Sequence, residues 1–258
     1  MDFHPMGSFP SSTVPLVFLH AFPMDHRLWL PVAQQLTDWP LLLADLPGFG
    51  ASPLIEPNLS VAAEELWAGL DRLGVDRAVL VGLSMGGYLA MAALRHSPQR
   101  IAGLVLADTK DTLDPPEASA ARLAMAKRVE ASQSVAELQP MALALLSWQT
   151  RRQRPELVAM VQNWISQLSP EAVAWAQQAM ASRLSSETLL AQPHAWPALV
   201  VVGEHDRQSP VAAAQAMAGR LACPLVIVPG AAHLTALEAP AVVAAALADF
   251  QRQVVTLG

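Results

Sequence analysis

Short, continuous apolar runs recur along this chain, and most are followed by a segment of helical character. A continuous run, unlike an alternating one, is typical of a strand covered on both faces. Alternation of such strands with helices favours a parallel sheet built from βαβ units. The sequence therefore predicts an α/β fold with a mostly parallel sheet flanked by helices. The predicted strands are Leu16–Leu19, Leu41–Ala44, Ala78–Val81, Ile101–Ala107, Ala198–Val202 and Leu225–Val228. The predicted helices are Trp29–Leu36, Val61–Leu73 (with Ser60 as N-cap), Gly86–His96, Val211–Arg220 and Pro240–Gln253.

The pattern changes between about Asp111 and Ala191, where helix-like segments are separated by prolines and no strand is evident. The sequence predicts a core domain formed by 1–110 and 192–258 and a helical insertion at 111–191.

Composition limits the classes of partner. Of 258 residues, 53% are apolar and 15% charged, which indicates a folded chain. The net charge of −6 gives no electrostatic reason to bind nucleic acid or an anionic membrane. No apolar run approaches the roughly 20 residues of a membrane span, and the N-terminus lacks the pattern of a signal peptide. The single cysteine, Cys223, fits a reducing compartment. We expect a cytoplasmic protein; the oligomeric state is not readable.

Ser84 lies in the sequence Gly82-Leu83-Ser84-Met85-Gly86, directly after a predicted strand and directly before a predicted helix. This strand–turn–helix setting is where a G-x-S-x-G motif presents a nucleophilic serine. Bulkier side chains two residues to either side would collide with the strand or the helix. Ser84 is therefore the predicted nucleophile.

A serine nucleophile needs a base, and the base needs an orienting carboxylate. Asp206 follows the predicted strand Ala198–Val202, and His233 follows the next predicted strand, Leu225–Val228. The three residues therefore occur in the chain order serine, acid, histidine. Asp108, after the strand Ile101–Ala107, is a rival acid, and Glu204 is a weaker one. We predict Asp206 as the acid and His233 as the base.

The oxyanion of an acyl-transfer intermediate is usually held by two backbone N–H groups. Met85 supplies the one after the nucleophile. The second is assigned to Phe22 in the early loop, with Ala21 as the alternative. His20, which precedes this loop, is predicted to support it by hydrogen bonding.

In these segments the chain resembles the α/β-hydrolase superfamily, and within it the branch of 3-oxoadipate enol-lactonases and small carboxylesterases. The resemblance implies the α/β-hydrolase fold, Ser84, Asp206 and His233 as catalytic triad, Phe22 and Met85 as oxyanion donors, and a helical cap over the site. Serine at 84 differs from the aspartate of haloalkane dehalogenases and epoxide hydrolases. The segments that carry the resemblance to the α/β-hydrolase superfamily are LVFLHAFPMDHRLW, LLLADLPGFGASP, VLVGLSMGGYLAM, VVVGEHDRQSP and VPGAAHLTALEAP.

The insertion offers candidate pocket residues, although such residues often bury the cap itself. They are Met125, Met141, Trp148, Met160, Trp164, Trp175 and Met180. Arg151, Arg152 and Arg154, or less strongly Arg27, are candidate anchors for a substrate carboxylate, although a solvated helix end is the preferred interpretation of the cluster.

The seven histidines form no linear metal-ligand spacing and the chain lacks a dinucleotide fingerprint, so we predict no metal and no cofactor. The expected function is hydrolysis of a small-molecule carboxylic ester. A lactonase such as a 3-oxoadipate enol-lactonase, a C–C bond hydrolase, a perhydrolase-type haloperoxidase and a non-enzymatic ligand sensor are the alternatives.

Overall fold

A computed structural model of the protein describes residues 1–7, 14–36 and 39–257. In that part of the chain, seven strands form one sheet. They are β1 (Asp2–Met6), β2 (Leu16–Leu19), β3 (Leu41–Asp45), β4 (Ala78–Leu83), β5 (Ile101–Ala107), β6 (Ala198–Gly203) and β7 (Leu225–Val228). The order is β1-β3-β2-β4-β5-β6-β7, with β1 antiparallel to β3 and the other pairs parallel.

Helices connect these strands and pack around the sheet. Helix α3 packs against α2 and against three central strands, while α10 and α12 pack on β6 and β7. The helices are α1 (Leu30–Ala33), α2 (Leu59–Arg72), α3 (Met85–His96), α4 (Pro116–Ser132), α5 (Met141–Leu145), α6 (Trp148–Gln153), α7 (Pro155–Ser166), α8 (Pro170–Ala181), α9 (Glu187–Leu190), α10 (Val211–Leu221), α11 (Thr235–Glu238) and α12 (Pro240–Leu257). Three 3-10 turns, at His26–Trp29, Pro98–Arg100 and Ala136–Leu138, complete these elements within the described residues.

The central strands are buried along their whole length, as their continuous apolar sequences predict. Every residue of β2, β3, β4, β5 and β6 is buried. Large side chains such as Phe18, Trp29 and Phe49 fill the interior. The predicted α/β fold is therefore confirmed, and all six predicted strands are present with boundaries moved by at most two residues.

Three local expectations were wrong. Strand β1 was not predicted, because it is a short edge strand that is only partly buried. The N-cap of α2 is Asn58, whose side chain accepts from the N–H of Ser60, so Ser60 is already helical. The predicted helix 29–36 is wrong in its bounds: Asp25 caps a 3-10 turn that ends at Trp29, and the short α1 that follows ends at Ala33.

Six helices, α4 to α9, lie between β5 and β6, in the segment predicted as an insertion. Helix α4 packs on α8, and the division of the chain into a core and a cap stays a prediction. Among the described residues, no helix combines the length and apolar character that crossing a membrane requires.

Candidate active site

Ser84 lies in the sharp turn between β4 and α3. Its backbone has φ 53° and ψ −110°, which a non-glycine residue adopts only when its surroundings hold it there. The Ser84 N–H donates to the carbonyl of Ala107 at 2.9 Å, and the Thr109 hydroxyl donates to the carbonyl of Ser84 at 2.9 Å. The neighbouring strand thus holds the turn and presents the side chain at the end of the sheet.

The glycines at 82 and 86 make this turn possible by close approach. A Cβ on Gly82 would lie 2.4 Å from the carbonyl oxygen of Gly86. A Cβ on Gly86 would lie 2.1 Å from the carbonyl oxygen of Leu19. Both distances are far inside van der Waals contact, so the steric reason for the G-x-S-x-G spacing is present in the structure.

Three predicted residues form one hydrogen-bonded chain. Ser84 Oγ lies 2.9 Å from His233 Nε2, and His233 Nδ1 lies 2.8 Å from Asp206 Oδ2. His233 and Asp206 are both buried, at 4% and 5% exposure, whereas Ser84 is partly exposed. Each comes from a different loop after a strand: Ser84 after β4, Asp206 after β6 and His233 after β7. Parallel strands bring these three loops to the same edge of the sheet.

The second oxygen of Asp206 is held by its own loop. Asp206 Oδ1 accepts from the N–H groups of Gln208 at 2.7 Å and Ser209 at 3.0 Å. The carboxylate is therefore fixed with Oδ2 facing His233.

The rival acids have other partners. Asp108 is fully buried, and its Oδ1 accepts from the Gly203 N–H at 2.9 Å. Its Oδ2 accepts from the Thr235 hydroxyl at 2.6 Å and from the Thr235 N–H at 3.1 Å. Burial, and then the nearby charge of Asp206, raise the pKa of Asp108 well above its ordinary value. Glu204 is exposed and accepts from the Gly230 N–H. Within the described residues, no hydrogen bond joins either carboxyl to His233.

The predicted oxyanion donors flank Ser84. Met85 begins α3, so its N–H has no carbonyl one turn earlier in the helix. Phe22 lines the same cavity as Ser84. His20 supports the Phe22 loop, as predicted: its Nδ1 contacts the Ala21 carbonyl at 3.0 Å, and its Nε2 accepts from the Leu46 N–H at 3.0 Å.

A cavity of about 70 Å³, here called the Ser84 cavity, opens beside the Ser84 hydroxyl. Of the seven candidate pocket residues, Met141 and Met180 line it, whereas Trp164 and Trp175 are buried elsewhere and Trp148 is exposed. The lining comprises Phe22, Ser84, Tyr88, Lys110, Arg122, Met141, Leu145, Met180, Gln208, Ser209 and His233.

Two cations in this lining, Lys110 and Arg122, escaped the sequence analysis. They share one buried carboxylate, Asp114, with a third cation, Arg183, at distances of 3.2, 2.7 and 2.7 Å. Three cations around one carboxylate leave net positive charge beside the cavity. A single lysine and a single arginine in separate segments form no linear motif, so no sequence signal marked them.

The arginines that the sequence offered as anchors lie elsewhere. None of Arg27, Arg151, Arg152 and Arg154 lines the Ser84 cavity. Arg27 pairs with Asp25 at 2.7 Å, and Arg154 donates to the carbonyls of Leu237 and Glu238.

Glu238 is a further residue that the sequence analysis missed. Its Oε1 accepts from the Ala232 N–H at 2.8 Å, and its Oε2 accepts from the Ser147 N–H at 2.9 Å and the Thr150 hydroxyl at 2.7 Å. It thus joins the loop that carries His233 to the start of α6.

The profile of the alpha/beta hydrolase fold family matches residues 14–240 of the chain. This chain is an α/β-hydrolase. The match covers most of the 258 residues and confirms the resemblance and the fold predicted from the sequence.

Individual relatives are enzymes of several activities. The α/β-hydrolase is 31% identical, over 92% of its length and 91% of the relative's, to 2-succinyl-6-hydroxy-2,4-cyclohexadiene-1-carboxylate synthase of Enterobacter sp. (strain 638). A thermophilic esterase from Thermogutta terrifontis, with malate bound, superimposes with a TM-score of 0.92 at 34% identity, covering 98% of this chain and 93% of the esterase. The enol-lactonase of Burkholderia xenovorans LB400 has a TM-score of 0.87 at 22% identity, covering 96% and 95%, and shows the shared fold.

Proposed function

We propose that this α/β-hydrolase cleaves a small carboxylic ester through an acyl-enzyme on Ser84. The supporting observation is the continuous hydrogen-bonded chain from Ser84 Oγ through His233 to Asp206, with links of 2.9 and 2.8 Å. A hydroxyl so linked can lose its proton to the imidazole as it attacks a carbonyl, and the carboxylate stabilises the imidazolium that forms.

In the first half of the proposed reaction, Ser84 Oγ bonds to the ester carbonyl carbon while its proton passes to His233 Nε2. The carbonyl oxygen becomes an oxyanion, for which we assign the amides of Phe22 and Met85 as donors. The carbon–oxygen bond to the alcohol then breaks. The His233 imidazolium protonates the departing oxygen, and the acyl group remains as an ester of Ser84.

In the second half, His233 takes a proton from a water molecule, whose oxygen adds to the acyl carbonyl. The bond to Ser84 Oγ breaks, and the same proton returns to Ser84. The products are a carboxylic acid, the alcohol released earlier and the unchanged enzyme.

The helices between β5 and β6 would act as the cap over this site. Arg122 on α4, Met141 and Leu145 on α5 and Met180 on α8 all line the Ser84 cavity. This supports the proposed division into a core, 1–110 and 192–258, and a cap, 111–191.

The nucleophile is tested with Ser84→Ala on p-nitrophenyl acetate and p-nitrophenyl butyrate. We expect kcat/KM to fall by roughly 10³-fold or more, because the attacking oxygen is gone. Ser166→Ala is the matched control, since Ser166 is exposed on α7 and donates only to the Asn163 carbonyl. Wild-type turnover by Ser84→Ala would rule out the proposed mechanism.

A second candidate function is a reaction, at the same site, of a substrate that carries a carboxylate. Hydrolysis of a lactone with a carboxylate and the reaction of the synthase relatives belong to this class. The observation that favours it is the surplus positive charge of Lys110, Arg122 and Arg183 around Asp114. The name of the Enterobacter relative describes a carboxylate product. Charged donors recognise carboxylates more strongly than neutral donors do.

Monoethyl succinate and its neutral isostere ethyl 4-methylpentanoate distinguish the two candidates. We compare kcat/KM for monoethyl succinate with kcat/KM for ethyl 4-methylpentanoate. If Lys110 and Arg122 bind a carboxylate, Arg122→Gln should lower the ratio of the first value to the second by roughly 10- to 100-fold. Asp114 keeps two cationic partners in this variant. Arg151→Gln, on the exposed end of α6, should leave the ratio unchanged. An unchanged ratio in Arg122→Gln would leave the neutral ester as the proposed substrate.

A further inference from the structure

A second group of nitrogen and oxygen donors lies outside the Ser84 cavity, where edge strand β1 meets the end of β3. We name His4, His26 and Asp45 the His–Asp cluster. His4 Nε2 lies 2.9 Å from Asp45 Oδ2, and His26 Nδ1 lies 2.9 Å from Asp45 Oδ1. Each of the three residues offers one metal-ligating nitrogen or oxygen atom, and these three atoms all lie within 4.8 Å of one another. None of the three lines the Ser84 cavity.

Strand pairing brings these residues together. Asp2 is paired with Asp45 across β1 and β3, and the two-residue repeat of a strand places His4 on the same face as Asp2. His26 begins the 3-10 turn after the Phe22 loop, and its backbone N–H donates to Asp45 Oδ1 at 2.9 Å. Asp2 Oδ2 lies 3.4 Å from His4 Nε2 and adds a fourth donor.

The two imidazoles are stacked, with ring centroids 3.6 Å apart and planes inclined by 21°. Each ring also directs one nitrogen toward the same carboxylate, that of Asp45. In a tetrahedral zinc site with bonds of about 2.0–2.1 Å, donor atoms lie about 3.3 Å apart. The two histidine–carboxylate separations are 2.9 Å and the remaining separation is within 4.8 Å, close to that spacing.

We propose that the His–Asp cluster binds a divalent transition-metal ion of the zinc type, with Asp2 or a water molecule as the fourth ligand. Two imidazoles with carboxylate oxygen suit Zn²⁺, whereas Mg²⁺ and Ca²⁺ prefer all-oxygen sites. An ion can reach the donors from solvent, because the side chains of His4 and His26 are 36% and 21% exposed, while Asp45 forms the buried base.

Such an ion would act on the fold. It would join edge strand β1, the end of β3 and the 3-10 turn that follows the Phe22 loop, which are otherwise linked here by hydrogen bonds. Because a ligand that binds only the folded state stabilises it, Zn²⁺ should raise the unfolding temperature. The proposal does not depend on the proposed esterase activity.

The experiment is calorimetric titration of the full-length, metal-free chain with Zn²⁺ alone, together with thermal unfolding. We expect one saturable site with micromolar affinity and a rise in Tm of roughly 5 °C at a hundredfold excess over Kd. His4→Gln should weaken binding by at least 10- to 100-fold, the range that loss of a supporting partner costs. Titration with Co²⁺ should give the strong visible absorption of a tetrahedral ion.

His96→Gln is the matched control, because His96 is also an exposed histidine near a carboxylate, Glu64 at 4.0 Å, but belongs to no group of three metal-ligating side chains among the described residues. This variant should bind Zn²⁺ as the wild type does. We expect His4→Gln to fold, because His4 lies on an edge strand and its substitution leaves the contact between Asp45 and the His26 backbone intact. Thermal unfolding of this variant without metal verifies that it is folded. Absence of saturable binding, or binding unaffected by His4→Gln, would overturn the proposal.

Discussion

Asp108 and Asp206 are two buried carboxyl groups at the same edge of the sheet, each following a strand, and their hydrogen bonds separate their roles. Asp206 reaches His233, whereas Asp108 accepts from Gly203 and Thr235. Asp206→Asn should lower kcat by roughly 10⁴-fold, because an amide disfavours the imidazole tautomer that accepts the serine proton. Asp108→Asn should keep kcat within about tenfold of wild type but lower the unfolding temperature, because the new NH₂ group faces a backbone donor.

Ester hydrolysis and thermal unfolding, measured on both variants, check this assignment. A larger loss of kcat in Asp108→Asn than in Asp206→Asn would make Asp108 the proposed acid instead.

At the scale of single residues, the sequence was sufficient for side chains whose position is set by a strand end. Ser84, Asp206 and His233 each follow a strand by a few residues, and parallel strands present their ends together. Lys110 and Arg122 lay beyond prediction, because they meet only through their shared partner Asp114 in the folded chain. His4, His26 and Asp45 met the same limit, since their contact depends on β1, a partly buried edge strand with little apolar signal.

At the scale of elements, the loop that carries His233 and the helices over the site are joined through α11. Glu238 at the end of α11 accepts from Ala232 on one side and from Ser147 and Thr150 on the other. The N–H of His233 itself donates to the Leu145 carbonyl at the end of α5 at 3.1 Å. The position of the imidazole is therefore tied to the position of α5 and α6.

Glu238→Gln should break this connection without removing much volume. The amide NH₂ cannot accept from a backbone N–H, so one buried donor loses its partner at a cost of about 1–3 kcal/mol. We expect kcat/KM for p-nitrophenyl butyrate to fall roughly tenfold, because small displacements of a catalytic group are costly. Glu137→Gln, an exposed residue paired with Arg128, is the control. If kcat/KM is unchanged while the unfolding temperature falls, Glu238 only stabilises the fold.

At the scale of the whole molecule, Asp114 joins the segment that follows β5 to α4 and to the end of α8. It follows β5 and pairs with Lys110, with Arg122 on α4 and with Arg183 after α8. Burial opposes ionisation of Asp114, but hydrogen bonds from Arg183 and Arg122 outweigh it, so its pKa lies well below the ordinary 3.8. The side chains of Asp114 and Arg183 are only 4% and 5% exposed, which limits screening by solvent.

A carboxyl whose pKa is lower in the folded state stabilises the fold above its unfolded pKa and loses that contribution as the pH falls. Asp114→Asn should therefore lower the free energy of unfolding by about 3 kcal/mol near neutral pH, the scale for breaking a buried ion pair. The difference from wild type should shrink as the pH falls below 3.8 toward the folded pKa. Urea unfolding at about pH 7 and about pH 3 measures it. Asp71→Asn, which breaks the exposed pair with Arg100, should cost less than about 1 kcal/mol. An Asp114→Asn loss that is equal at both pH values would show that packing, and not the charge of Asp114, holds α4 and the end of α8 to the segment after β5.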